Sequence, residues 1–396
     1  MQQTPLITPA RRVGQVKEYY FARRLRELDE LRRQGRDIIS LAIGGPDTPP
    51  PLPAIDTLCE NARRSDTHTY QTGKGPLELR KAYAGWYGRE FGVSLNPETD
   101  ILPLIGSKEG VLHLSLTFLN PGDKVLVPDP GYPTYTSASR IAEAQAVPYP
   151  LLEQQGWQPD FDKLERLAPG AKMMWVNYPN MPTGAPSSRK LLEKLVGFAR
   201  RHGILLINDN PYSFILHKER LSILSVAGAA DVALEMNSLS KSHSMAGWRM
   251  GLVAGKKEFI DWIMRVKTNA DSGQYLPMMR AAATALCEGD EWKAHINTLY
   301  GERRKIAEKL LDTMGCRFDP SQAGLFLWAH IPEGWESGEQ FSDALLEATD
   351  VFVTPGFIFG RNGERFIRLS LCLPAERIQE AVERVAASSF NKHISK

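Results

Sequence analysis

The sequence predicts an α/β protein: a large domain with a mostly parallel sheet between helices, and a smaller α+β domain. Three observations point there. From about residue 100, short apolar runs alternate with segments of helical period, the pattern of βαβ units. After residue 291 that alternation gives way to one long amphipathic segment and a few isolated apolar runs. The chain has 396 residues, more than one hydrophobic core usually serves.

The elements follow in order. Residues 16–33 repeat apolar side chains at helical spacing and stop at Gly35. Residues 37–43 read as a strand entering the turn Gly44-Gly45-Pro46-Asp47. The runs 101–104, 124–128, 173–177, 204–208 and 232–238 read as strands, with helical segments such as 189–202 between them. Parallel sheets bind ligands at the carboxyl ends of their strands, so the loops after these runs are where chemistry is expected. Residues 292–314 read as a long helix, and 325–328, 351–353 and 366–370 as strands of the smaller domain. The expected division is an N-terminal arm and helix over 1–45, packing with the small domain, a large domain over 46–290, and the small domain over 291–396.

Composition excludes several classes of function. Apolar residues make up 42% and charged residues 24%, as in an ordinary globular protein. Forty-eight basic and 46 acidic residues leave a net charge of +2, too small a field to favour nucleic acid or an anionic membrane. No apolar run approaches the roughly 20 residues that span a bilayer, and the opening MQQTPLITPARRVG lacks the apolar core of a signal peptide. Cys59, Cys287, Cys316 and Cys372 are scattered, with no C-x-x-C pair and no zinc-ligand spacing. Reduced cysteines, no metal and a cytoplasmic location are expected.

The most informative segment is SLSKSHSMAGWRMG, residues 238–251. A lysine amine can form an imine with an aldehyde and later act as a base. Hydroxyls three and one residues before Lys241, and an arginine eight residues after it, suit an anionic group such as a phosphate. This segment resembles the lysine site of the pyridoxal-phosphate-dependent class I/II aminotransferases, of fold-type I. Other motifs resemble the same family in order: GSKEG at 106–110, PGYPTY at 130–135, DNPY at 209–212, YQTGKGPLELR at 70–80, RFIRLS at 365–370 and the GGPD turn at 44–47. The similarity runs from about residue 16 to 385.

The resemblance implies a seven-stranded sheet and pyridoxal 5′-phosphate as cofactor. It implies that Lys241 carries the Schiff base, and that Ser107, Lys108, Ser238, Ser240 and Arg249 hold the phosphate. Tyr132 would stack on the pyridine ring, Asp209 would pair with the ring nitrogen, and Tyr212 would donate to the ring's phenolic oxygen. Gly44 and Arg368 would bind the substrate α-carboxylate. Tyr70 would reach the phosphate held by a second subunit, which makes the chain a homodimer with shared active sites. The reaction implied is ping-pong transfer between an L-amino acid and a 2-oxo acid. The words NYP and GYPTY and residues 267–275 look most like the aspartate, alanine and diaminopimelate branch, although residues 277–280 lack a glutamine often seen there. A C–S β-lyase or a cyclase would use the same cofactor site. Lys74 and Lys108 are candidates for a distal substrate carboxylate.

One position departs from the family. The loop NYPNMPTG, residues 177–184, holds Met181 where the resemblance expects an asparagine that donates to the phenolic oxygen. Losing that donor should raise the pKa of the cofactor–lysine imine. Asn180 could take the role only if the loop shifts by one residue.

Overall fold

The structure is a computed structural model, and it describes residues 6–16, 18, 20–388 and 390. Thirteen strands are formed by these residues. The first, β1 (Ile39–Ser40), belongs to the N-terminal segment. The next seven build one sheet: β2 (Ile101–Ile105), β3 (Lys124–Asp129), β4 (Gln145–Pro150), β5 (Ala171–Val176), β6 (Leu205–Asp209), β7 (Ala233–Ser238) and β8 (Met250–Gly255). Their order is β2-β8-β7-β6-β5-β3-β4. All pairs are parallel except those of β8, which runs antiparallel to both β2 and β7.

The sheet is covered on both faces, as a mostly parallel sheet requires. Successive side chains on a strand point to opposite faces. Met173 and Trp175 of β5 therefore join one core with Val111 and Leu114, whereas Met174 and Val176 join another with Leu192 and Val196. The helix at 189–202 forms over those residues. Ser188 caps it, accepting from the Leu191 amide at 3.2 Å, and Gly203 ends it in the left-handed region at φ 62°. Two strands of this sheet have no counterpart among the runs named from sequence. β4 contains two prolines and lies at the sheet's edge, where missing amides do no harm. β8 is short of large side chains because glycines open and close its apolar run.

The ends of the chain build a second body. The long helix covers Asp290–Thr313. β9 (Arg317–Phe318), β10 (Phe326–His330), β12 (Thr354–Pro355) and β13 (Phe366–Ser370) form an antiparallel sheet in the order β12-β13-β10-β9. β11 (Val351–Phe352) instead pairs in parallel with β1. The strand expected over 37–43 is thus only two residues long. The first long helix is Tyr20–Arg33, shorter than the expected 16–33, and residues 17 and 19 of that expectation lie outside the described residues. Among the described residues, no helix is long and apolar enough to cross a membrane.

A bidentate ion pair locks the N-terminal turn to the long helix. Arg303 Nη1 and Nη2 meet Asp47 Oδ1 and Oδ2 at 2.6 and 2.9 Å, and Nη1 also donates to the Leu371 carbonyl at 3.2 Å. Arg303 is buried, so removing its partner leaves an uncompensated charge. Asp47→Ala is expected to cost about 3 kcal/mol, seen as a lower urea midpoint, with Asp47→Asn losing less.

Candidate active site

A cavity of about 390 Å³ opens where the carboxyl ends of β3, β5, β6 and β7 meet the turn after β2. Of the residues singled out from sequence, Gly44, Ser107, Lys108, Tyr132, Asp209, Tyr212, Ser238, Ser240, Lys241, Arg249 and Arg368 line it. Tyr70 does not; its side chain is 91% exposed on this chain.

Asp209 closes β6 and is buried. The Tyr135 hydroxyl donates to its Oδ2 at 2.9 Å, while Oδ1 is buried and has no partner among the described residues. Tyr135 is itself held by stacking on Trp175, with ring centroids 4.9 Å apart. Burial pushes the Asp209 carboxyl up to about 6, opposed by the Tyr135 hydrogen bond and reinforced by nearby Glu235. A buried acceptor without a partner, on a residue that lines the cavity, fits a protonated ring nitrogen.

Lys241 lies on the four-residue helix Leu239–Ser242 that follows β7. Its Nζ donates to the Gly44 carbonyl. Burial draws the ammonium's pKa down; Cys372 opposes that shift, and Arg368 and Arg249 add to it. The result favours a neutral, nucleophilic amine.

The anion-binding end is built on the turn after β2. Gly106 is left-handed at φ 73°, and a Cβ there would lie 2.1 Å from Arg249 Nη2, so only glycine lets the guanidinium come this close. Ser107 then opens a twelve-residue helix whose amides point outward. Glu109 steadies the turn, accepting from the Ile105 amide and meeting His113 Nε2, both at 2.6 Å. Ser238 Oγ donates to Ser240 Oγ at 2.9 Å. Burial and Arg249 together lower the pKa of Lys108.

At the other end, Arg368 stands in the middle of β13. Its Nη2 donates to the Ala42 carbonyl at 2.7 Å, and its guanidinium lies 3.9 Å from the Phe326 ring centroid and 4.7 Å from that of Phe359. Phe326 in turn dictates glycine at 44, where a Cβ would come within 2.1 Å of the ring. Tyr132 meets Tyr135 edge-on at 5.5 Å. Tyr212 is buried, which raises its hydroxyl's pKa.

The NYPNMPTG loop resolves the question at position 181. Met181 lines the cavity, with Sδ 3.3 Å from Arg368 Nη1. Asn180 is occupied within the loop: its Nδ2 donates to the Asn177 carbonyl at 3.2 Å, and its Oδ1 accepts from the Thr183 hydroxyl at 2.7 Å. Asn177 was not among the residues expected from sequence, yet it lines the cavity. Its Nδ2 donates to the Asp209 carbonyl and its Oδ1 accepts from the Met181 amide at 2.7 Å. Its signal is its place just beyond β5, as Asp209 ends the neighbouring β6. Tyr135, Phe21, Phe326 and Phe359 were likewise not anticipated, because each reads in sequence as ordinary core.

An open carboxylate oxygen, a buried amine and a cation-rich helix start thus face one space. That donor set fits a phosphorylated pyridine aldehyde. The chain belongs to the aminotransferase class I and II family, whose pattern matches residues 36–385; pyridoxal phosphate is the family's cofactor. It is 41% identical over 370 residues to the LL-diaminopimelate aminotransferase of Aquifex aeolicus, covering 93% of this chain and 95% of that one. Among solved structures it is similar to substrate-bound BacF of Bacillus subtilis (35% identity, TM-score 0.91, 96% of this chain and 97% of that one). A Thermus thermophilus aspartate aminotransferase variant also matches (28% identity, TM-score 0.90, 96% and 99%).

The raised pKa of Asp209 has a consequence for the cofactor-free protein. The native carboxyl, at about 6, holds its proton more tightly than an unfolded one near 4. Stability therefore falls as pH rises from about 4 through about 6. Asp209→Asn is expected to flatten this slope in thermal unfolding of the cofactor-free protein.

Proposed function

We propose that this chain exchanges an amino group between an L-amino acid and a 2-oxo acid in two half-reactions on one cofactor. The observation that carries this reading is the meeting of Lys241, the open Oδ1 of Asp209 and the Ser107–Arg249 anion end in one buried cavity, in a chain of aminotransferase lineage. Pyridoxal phosphate, when bound, supplies an aldehyde carbon for the amine and a ring that takes up electron density.

The residues act around it. Lys241 Nζ would hold the cofactor through that aldehyde carbon and would carry the proton from the substrate Cα. Asp209 keeps the ring nitrogen protonated, and the Tyr212 hydroxyl donates to the ring's phenolic oxygen. Ser107, Lys108, Ser238, Ser240 and Arg249 hold the phosphate, and Tyr132 packs against the ring. Arg368 and Gly44 bind the substrate α-carboxylate, Arg368 through its planar fork. The same reading makes the chain a homodimer. Tyr70, exposed and outside its own chain's cavity, is free to reach the partner's phosphate. The near-neutral charge and scattered cysteines support a cytoplasmic enzyme. The pairing of β1 with β11 supports grouping residues 1–45 with 291–396, around a large domain of 46–290.

Two measurements test this assignment. An amino acid should bleach the cofactor's absorbance and a 2-oxo acid should restore it. Lys241→Ala should slow both steps by roughly 10²–10⁴-fold or more; unchanged rates would remove Lys241 from its role. Met181→Asn should supply an amide donor to the phenolic oxygen. The expected result is a fall of roughly one unit in the pH midpoint of the bound cofactor's absorbance change, the worth of one hydrogen bond.

A further inference from the structure

Glu235 stands in the middle of β7, three residues before Ser238 and six before Lys241, and has no exposed surface. A carboxylate in such a place costs stability unless donors surround it, and an apolar side chain of similar size is usually tolerated better. Its hydrogen-bond partners are neutral. Oε2 accepts from the Ile223 amide at 2.9 Å and from Asn208 Nδ2 at 3.0 Å, and the side chains of Ser222 and Tyr87 lie beside the carboxyl. Burial raises the carboxyl's pKa, and these polar contacts oppose the rise. Glu235 and Asn208 are fully buried within this one chain, so the cluster needs nothing from a second subunit.

The two donors lead to two different loops of the site. Asn208 faces Glu235 across the β6–β7 pairing and precedes Asp209. Its Oδ1 accepts from the Tyr178 amide at 3.3 Å, at the start of the 177–184 loop that carries Asn177 and Met181. Ile223 closes the other loop, which leaves β6 at Asn210 and carries Tyr212. The Asn210 amide donates to the Met236 carbonyl at 2.8 Å, so both ends of that loop are pinned to adjacent residues of β7. One carboxylate thus ties β7, β6 and both loops together behind the Asp209 end of the cavity. An apolar side chain at 235 would leave the Ile223 amide and Asn208 Nδ2 without their acceptor.

We propose that Glu235 is a positioning residue of the active site: it anchors the loop that carries Tyr212 and, through Asn208, the loop that carries Asn177 and Met181. What the anchored groups do rests on the amino-transfer reading. That they are anchored by this carboxylate does not.

The test reads anchoring in the cofactor-free protein and its consequence in the holoenzyme. In the cofactor-free protein, Glu235→Ala should quicken amide hydrogen exchange at least about tenfold over 177–181 and 210–223, the worth of one hydrogen bond to a charged group. Exchange over the helix Ser107–Phe118 should stay within about twofold of wild type. Unchanged exchange in both loops, or equal quickening in that helix, overturns the proposal. Glu235→Gln keeps an acceptor oxygen and should recover most of the protection; a variant as loose as Glu235→Ala counts against it. If Glu235→Ala does not fold, Asn208→Ala takes its place. It should quicken 177–181 and leave 221–223 at the wild-type rate, and both segments moving together, or neither moving, overturns the proposal. In the holoenzyme, Glu235→Ala should lower kcat at least about tenfold with the amino donor's KM within about threefold, because Arg368 lies on β13, outside the cluster. A raised KM with kcat unchanged overturns the positioning role. A wild-type holoenzyme that transfers no amino group would overturn the amino-transfer reading and leave the exchange result to decide the anchoring.

Discussion

A carboxylate sealed from water must find donors or give up its charge, and the site is organised around how Asp209 meets that demand. One oxygen is held by Tyr135, whose ring is braced flat against Trp175. The backbone carbonyl of Asp209 is tied by Asn177 to the loop after β5. The second carboxylate oxygen is buried and has no partner among the described residues. The protein thus spends one donor on orienting the group and withholds the other. With that donor withheld, burial makes the carboxyl hold its proton more tightly than an exposed one does. The same burial draws the pKa of the Lys241 ammonium down, so both groups are biased toward their uncharged forms. One low-dielectric pocket prepares both an acid and a base.

The two ends of the cavity have different origins. The end that holds Lys241 and Arg249 is made from the middle of the chain, by strand ends that the parallel sheet aligns and by the helix that begins at Ser107. The Arg368 end is made from the chain's extremes. Ala42, Ile43 and Gly44 come from the N-terminal segment, and Phe326, Phe359 and Arg368 from the small domain. These extremes are pinned together by β1–β11 pairing, by the Arg368–Ala42 bond and by the Arg303–Asp47 pair. The Gly44 carbonyl reaches Lys241 and so joins the two ends.

Much of this was legible in the sequence, and for identifiable reasons. Buried strands announce themselves as apolar runs, so β5, β6, β7 and β13 were found within a residue or two. The helix at 189–202 carried its own start and stop in Ser188 and Gly203. β4 and β8 were not named, because proline and glycine at an edge and in a close-packed strand erase the periodic signal. The strand at 37–43 shrank to β1, because hydrogen bonds to a distant partner decide strand length and local propensity does not.

The residues that can do chemistry were equally legible by type and spacing: Lys241 among hydroxyls, Arg249 eight residues on, Asp209 at a strand's end. The sequence by itself also determined that position 181 carries a thioether. The tertiary structure alone decided what that thioether faces, that Asn180 is spent inside its loop, and that Asn177 lines the cavity. It also decided that Phe21, Phe326 and Phe359, from three separate segments, surround the Arg368 guanidinium. Spacing along a chain reports which groups share a strand or a turn. Burial, partners left unfilled and the lining of a cavity depend on contacts between segments as much as 326 residues apart, as between Arg368 and Ala42, and those exist only once the chain has folded.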